Sequence, residues 1–301
     1  MNKQEYLQKR DRLVSVLSKD GKYRIVLVRN TVAVESAQKR HHMDKISATY
    51  WAKCSLCSLL SASLLKGEER VTVLVKPDQC FETILAEACQ TGEVRGYVQL
   101  KEDVKEEEIQ KYADNLGTGI FRLEKVLYDR YAPVVGIIEL VKGSIEDDYQ
   151  SYLIHSEQIP SSVWFNVECN SEGTVVSSAG LLIQAMPMTT PEEIESLRNS
   201  LDIEKLIKLI HEEAPQAILE QILPFQFDIM NNTVIDFYCR CSAKKFIEKL
   251  IGFTVEEIQD MQAKNQRTLT CHYCNTEYKI TDEDFANIIK QIQNKEKKED
   301  K

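Results

Sequence analysis

The sequence has no uninterrupted apolar run near the roughly 18 residues a membrane-spanning helix needs, so no span is expected. Its opening stretch, MNKQEYLQKRDRLVSVLSKDGK, lacks the apolar core of a secretory signal, which makes the expected location cytoplasmic. Positive charge is not in surplus: 38 Lys and Arg stand against 47 Asp and Glu, a net charge of −9. General attraction to polyanions is thereby disfavoured, although a local basic patch is not excluded. Glycine is scarce, at 11 in 301 residues. There is no phosphate loop, dinucleotide fingerprint, nucleophile elbow or histidine-rich metal cluster, and the protein is not expected to be an enzyme.

A chain of 301 residues is comfortable for two domains, and 43% hydrophobic with 28% charged residues is the balance of a soluble globular protein. Up to about Met188 the text reads as one α+β domain. KYRIVLVRN alternates apolar and polar residues as a strand does, and ISATYWAKCSLCSLLSASLL is long and apolar enough for a buried helix. VTVLVK and EVRGYVQL read as strands separated by a helical ETILAEACQ, and GIFRLEKVL, VVGIIELVKG, SSVWFNVE and TVVSSAGLLIQAMP add further strands. In SIEDDYQSYLIHSEQI, Ser144 is placed as an N-cap with Asp147 three residues on. Strands and helices intersperse without strict alternation, so a mixed sheet is expected rather than a doubly wound one.

The composition shifts at Pro187. Thr190, Pro191 and Glu193 form a well-made helix start, and Leu201, Leu206, Ile207 and Ile210 recur at helical spacing. These short amphipathic helices cannot build a core alone and must lean on a neighbour. The expected division is a core at 1–188, a helical linker at 189–231 and a small cysteine-bearing domain at 232–301, ending in the solvated NKEKKEDK.

That last domain holds Cys239-x-Cys241, 29 further residues, then Cys271-x-x-Cys274. In a reducing compartment these are thiols, not structural disulfides. Four soft thiolates suit tetrahedral zinc, and the second pair has zinc-knuckle spacing. Four ordinary buried cysteines would not explain two close pairs in one small unit. Thr254 with Glu257 and Thr281 with Asp284 open two helices around the site. The apolar residues at hand (Phe246, Leu250, Phe253, Ile258, Ile280, Phe285, Ile288) are few, so the domain is expected to need one zinc ion to fold. A cage of four cysteines leaves no open position for catalysis. It does bring sulfurs within about 3.8 Å of each other, close enough that an oxidant attacking one finds a second beside it.

The same residues carry a family resemblance. C-x-C followed by C-x-x-C near the end of a chain of this size resembles the bacterial redox-regulated heat-shock chaperones, the heat-shock protein 33 family. GEVRGYV at 92–98, YLIHSEQIPSSV at 152–163, LLIQAMP at 181–187 and EEIQDM before CHYC look like that family's text in its order. The resemblance implies an ATP-independent holdase for unfolding clients, inactive while Cys239, Cys241, Cys271 and Cys274 hold zinc. It also implies that oxidation pairs Cys239 with Cys241 and Cys271 with Cys274, releases the metal, unfolds the zinc domain and linker, and yields a protein that is commonly dimeric. One departure is KPDQCFETILAEA, where the family usually carries glycines, so that loop is expected to be built differently here.

The alternative is a zinc-ribbon module for nucleic acid. It is weakened by the balance from Asp236 to Lys301, where 12 Lys and Arg meet 12 Asp and Glu. Cys54-x-x-Cys57 lies within an apolar helical run and is read as core, not as a redox pair. Cys80, Cys89 and Cys169 are read as ordinary thiols, His41 and His42 as a solvated helix end, His272 as outward-facing, and Trp51 and Trp164 as core.

Overall fold

The computed structural model describes residues 10–141 and 143–299, and the charged ends 1–9 and 300–301 used in the sequence reading lie outside them. β1 (Arg12–Ser18) and β2 (Tyr23–Arg29) form a hairpin turned at Gly21, whose φ of +73° suits a residue without Cβ. α1 (Thr31–His41) ends at His42 in the left-handed region. Asp44 then caps α2 (Lys45–Ala62) by accepting the Ile46 and Ser47 N–H groups. Because α2 carries apolar or small side chains around most of its circumference, the fold buries it on nearly every side. β3 (Arg70–Pro77), β4 (Phe81–Cys89) and β5 (Glu93–Leu100) make an antiparallel meander. The short α3 (Glu106–Gln110) leads to the β6 (Gly119–Val126) and β7 (Val134–Leu140) pair. α4 (Ile145–His155) starts at Ser144, which accepts the Asp147 N–H, and β8 (Ser161–Cys169) pairs with β9 (Val175–Ala185).

One expectation is corrected here. ETILAEACQ is not a helix; it is β4, paired with β3 along one edge and β5 along the other. A strand buried on both faces loses the polar alternation that marks a strand in sequence, and two flanking partners override the helical leaning of Ala, Leu and Glu. The β3–β4 turn at 78–80 needs no glycine, since none of its residues has a positive φ.

Two large sheets result. The first has the order β10-β1-β2-β9-β8 and is antiparallel throughout; the second has the order β11-β5-β4-β3-β6-β7 and is mixed, because β11 runs parallel to β5. α+β with a mixed sheet is therefore the fold class. Alternation along β1 and β2 divides two cores. Leu13, Val26 and Val28 face inward with Trp51, Leu56 and Leu60 of α2 and Val73, Phe81 and Ile84 of the second sheet. Val14, Val16, Ile25 and Leu27 face the other way.

That second face is covered by α5 (Pro191–Ser200), α6 (Ile203–Glu212) and α7 (Pro215–Ile222). Ile194, Leu197, Leu206, Leu209, Ile210, Ile218 and Leu219 pack on Val14, Val16, Ile25, Leu27, Leu181 and Ile183. Thr190 and Glu193 close the expected capping box. After the helices, β10 (Phe227–Val234) joins the edge of β1, and β11 (Asp236–Phe237) joins β5. Contacts divide the chain into two compact units between Tyr238 and Cys239, so residues 232–238 go with the first unit, later than the boundary at 232 that composition suggests. The edges of β1 and β5 recruit this stretch, 232–234 on β1 and 236–237 on β5, partners no local pattern announces. Among the described residues no helix is long and apolar enough to cross a membrane.

Candidate metal centre

The second unit is built from α8 (Ala243–Leu250), α9 (Val255–Ala263), the β12 (Thr268–Thr270) and β13 (Glu277–Lys279) hairpin, and α10 (Asp282–Glu299). Two of its caps are the expected ones, Thr254 and Glu257 closing a capping box and Thr281 exchanging bonds with Asp284, and the structure adds Ser242, which accepts the Lys245 N–H. The apolar centre is small, consisting of Leu250, Ile258, Ile280, Phe285, Ile288 and Ile292. Phe253 lies outside it at 47% exposed, and Phe246 instead packs its ring on Tyr278 at 5.5 Å.

Cys271 and Cys274 sit in the β12–β13 turn. The Cys271 N–H donates to Thr276 O at 2.9 Å, and the Asn275 N–H donates back to Cys271 O at 2.7 Å with Asn275 at φ 53°. This tight reversal aims both sulfurs the same way. Cys239 and Cys241 approach from the segment just before the Ser242 cap. The four Sγ atoms lie within 4.8 Å of one another, with Cys239–Cys271 at 3.8 Å and Cys241–Cys274 at 3.4 Å. A tetrahedron with metal–sulfur bonds of about 2.3 Å has edges of about 3.8 Å, so the set could hold one metal ion. Cys271 and Cys274 are buried, while Cys239 and Cys241 are half-buried. His272 is exposed and outside the set.

The surroundings of the sulfurs also favour a cation. Burial pushes the Cys241 thiol up, and burial together with neighbouring thiols pushes Cys271 up to about 12. Cys274 goes the other way. Burial opposes its ionisation, but the Thr276 hydroxyl and N–H and the adjoining Cys241 and Cys271 thiols outweigh that and bring it to about 7. One thiolate forms readily; a dication would supply the compensation the others need. Two polar groups touching the sulfurs escaped the sequence reading. The Tyr278 hydroxyl lies 3.1 Å from Cys241 Sγ and the Thr276 hydroxyl 3.3 Å from Cys274 Sγ. Neither has a sequence signature, because each depends on the hairpin register.

The other cysteines are elsewhere. Cys54 and Cys57 are fully buried in α2, where burial raises both pKa values, and Cys54 Sγ points at Val73 O at 3.5 Å. Cys80 and Cys89 are buried and Cys169 is half-buried. Trp51 is fully buried and donates to Leu85 O, whereas Trp164 is half-buried against the α5–α7 core. His41 stands edge-on to Phe237.

Comparison with known proteins agrees with this architecture. The family model described as Hsp33 protein matches residues 11–281. The 33 kDa chaperonin of Bacillus velezensis is 32% identical over 287 residues, 92% of this chain and 98% of its own. That of Bacillus subtilis is 33% identical over 285 residues, again 92% and 98%. The crystal structure of the 33 kDa chaperonin (heat shock protein 33 homolog) of Thermotoga maritima shares the fold with a TM-score of 0.77 at 24% identity, covering 93% of this chain and 98% of that one. With a family match over nearly the whole length, and both sheets and the cysteine-bearing unit covered by it, the chain belongs to the Hsp33 protein family.

Proposed function

We propose that this protein is a cytoplasmic, ATP-independent chaperone held inactive by one zinc ion on Cys239, Cys241, Cys271 and Cys274, and activated when oxidation pairs those thiols. The observation that carries the reading is the four-sulfur cage in a unit with little other core. Soft thiolates in a tetrahedral set suit zinc, and four of them leave no position for a catalytic water. When bound, zinc supplies folding free energy on the order of 10 kcal/mol, which a core this small needs.

The switch follows from bond lengths. A disulfide requires about 2.05 Å between sulfurs, whereas the cage holds Cys239–Cys271 and Cys241–Cys274 at 3.8 and 3.4 Å. Two thiolates that give up two electrons and form an S–S bond can no longer span a tetrahedron, and the cage is lost. All four sulfurs lie close enough for more than one pairing. Pairing of sequence neighbours, Cys239 with Cys241 and Cys271 with Cys274, agrees with the family resemblance and leaves the unit free to unfold. Cross-pairing of Cys239 with Cys271 would staple it closed.

In this reading residues 1–188 are the chaperone core, 189–231 the linker and 232–301 the switch domain, of which 232–238 pack with the first unit and the cage lies from Cys239 onward. Release of α5–α7 would bare Val14, Val16, Ile25, Leu27, Leu181 and Ile183 together with the helices' own Leu and Ile residues. An apolar face beside a disordered segment can take up varied unfolded chains. The oxidised form is expected to be a homodimer, on the resemblance alone. No nucleic-acid or membrane partner is required.

The test is metal content and free-thiol count, read with suppression of aggregation of a denatured client, before and after peroxide with mild heat. Reduced protein should hold about one zinc and suppress nothing; oxidised protein should have lost it and suppress aggregation. Full suppression by the reduced, metal-loaded form would sink the switch. Mass spectrometry of the oxidised peptides decides the pairing.

A further inference from the structure

Cys239 and Cys241 are the less buried pair of the cage, and so the pair more open to an oxidant. Beside Cys241 stands Tyr278. Its hydroxyl lies 3.1 Å from Cys241 Sγ. Its backbone is held in β13, where it pairs with Leu269 of β12, and its ring packs on Phe246 of α8 at 5.5 Å. The hydroxyl is thus fixed by a strand register and by a ring contact, and does not swing on a free side chain. A phenol O–H donated to a thiolate withdraws electron density from sulfur and occupies the lone pair through which sulfur attacks.

We propose that Tyr278 is a positioning residue that sets how readily the cage opens, by donating its hydroxyl hydrogen to the Cys241 thiolate. This rests on the zinc-thiolate reading above. The reaction it governs is attack of a thiolate on a peroxide. The sulfur lone pair forms an S–O bond, the O–O bond breaks, hydroxide leaves, and the sulfur becomes a sulfenic acid oxidised by two electrons. A second thiolate of the cage then attacks that sulfur, an S–S bond forms, and the departing hydroxide is protonated by solvent to water. The hydrogen bond weakens the first nucleophile, and the Tyr278 ring stands beside it.

Tyr278→Phe keeps the ring on Phe246 and removes only the hydroxyl. Reduced Tyr278→Phe should bind the same amount of zinc as the native protein. Its zinc release by hydrogen peroxide, followed with a chromogenic chelator, should be about tenfold faster, the order of effect typical when a group supporting a metal ligand is lost. Alkylation of Cys241 by iodoacetamide, resolved by peptide mass spectrometry, should quicken in parallel. In cobalt-substituted protein the sulfur-to-metal charge-transfer band should move to lower energy, because a more electron-rich thiolate gives up its electron more easily; a purely structural role would leave that band in place. Phe246→Leu, which loosens the ring but keeps the hydroxyl, should move the same readouts by less. Release and alkylation rates within twofold of native would overturn the proposal, as would loss of zinc stoichiometry in Tyr278→Phe. Native protein that keeps its zinc under peroxide would instead overturn the switch itself, so the two failures are distinct.

Discussion

Arg29 ends β2 and is only 5% exposed, yet it carries a guanidinium into the seam between the first sheet and α6. Its Nη1 donates to Glu213 O at 2.6 Å and to Ile210 O at 3.3 Å, and its Nη2 donates to Arg10 O at 3.0 Å. Ile210 and Glu213 stand at the C-terminal end of α6, where helix carbonyls have no partner within the helix and the dipole is negative. Arg29→Met preserves the stem's volume and removes the donor. A hydrogen bond from a charged donor contributes about 1.5–3 kcal/mol. The shorter contact to Glu213 is the main loss and the longer one to Ile210 a lesser one, so docking of α6 should weaken by about 3 kcal/mol. At about 1.4 kcal/mol per factor of ten, that raises the open population of the helices roughly a hundredfold. Hydrogen exchange on reduced, metal-loaded protein reads this directly: amides of residues 203–222 should exchange about a hundredfold faster while those of β4 stay protected. Client suppression without oxidant should rise with it. An acceleration below about tenfold, or one shared equally by β4, would refute the idea that Arg29 clamps the linker in particular.

Three further outcomes follow from the first unit, whose unfolding can be followed by the fluorescence of Trp51 and Trp164. Asp11 is buried, and desolvation lifts its pKa to about 7 against the pull of the Ala33 N–H and Arg29, with Asp236 adding to the rise. The unfolded carboxyl titrates near 3.9, so only the folded state holds the proton between about pH 4 and 7; stability should fall as pH rises through that window, by at most about 4 kcal/mol, and level off above it. Urea midpoints at pH 5 and 8 should converge in Asp11→Asn, and an unchanged difference would count against the assignment. Gly96→Ala should destabilise by more than about 3 kcal/mol or abolish soluble expression, because at φ +155° an added Cβ meets Leu85 O at 2.0 Å, the carbonyl that accepts from Trp51; a near-native melting temperature would contradict it. Replacing Cys54 and Cys57 with Ser should cost about 1–3 kcal/mol per buried hydroxyl yet leave oxidant-driven zinc release intact, and loss of that release would move the redox centre into α2.

What could be read in advance was whatever is written locally. The caps at Asp147, Glu193, Glu257 and Asp284 are each a pair three residues apart, and each forms as its spacing requires. The knuckle at Cys271 and Cys274 is equally local, because two sulfurs two residues apart need only one tight turn. β4 was misread for the opposite reason. Its identity is settled by β3 and β5 on its flanks, and nothing within ETILAEACQ records them.

The sequence alone determined the composition of the cage and the dependence of the 191–222 helices on a neighbour, since ligand chemistry and an amphipathic period both reside in the residues themselves. Only the tertiary structure decided which neighbour that is, the face of β1, β2 and β9 that carries Val14, Ile25 and Leu181. It also decided that residues 232–238 are sewn to the first unit as strands and that Tyr278 and Arg29 stand where they do. Such pairings join residues far apart in the chain, and their energy comes from burial and register, quantities that exist only once the backbone has closed on itself.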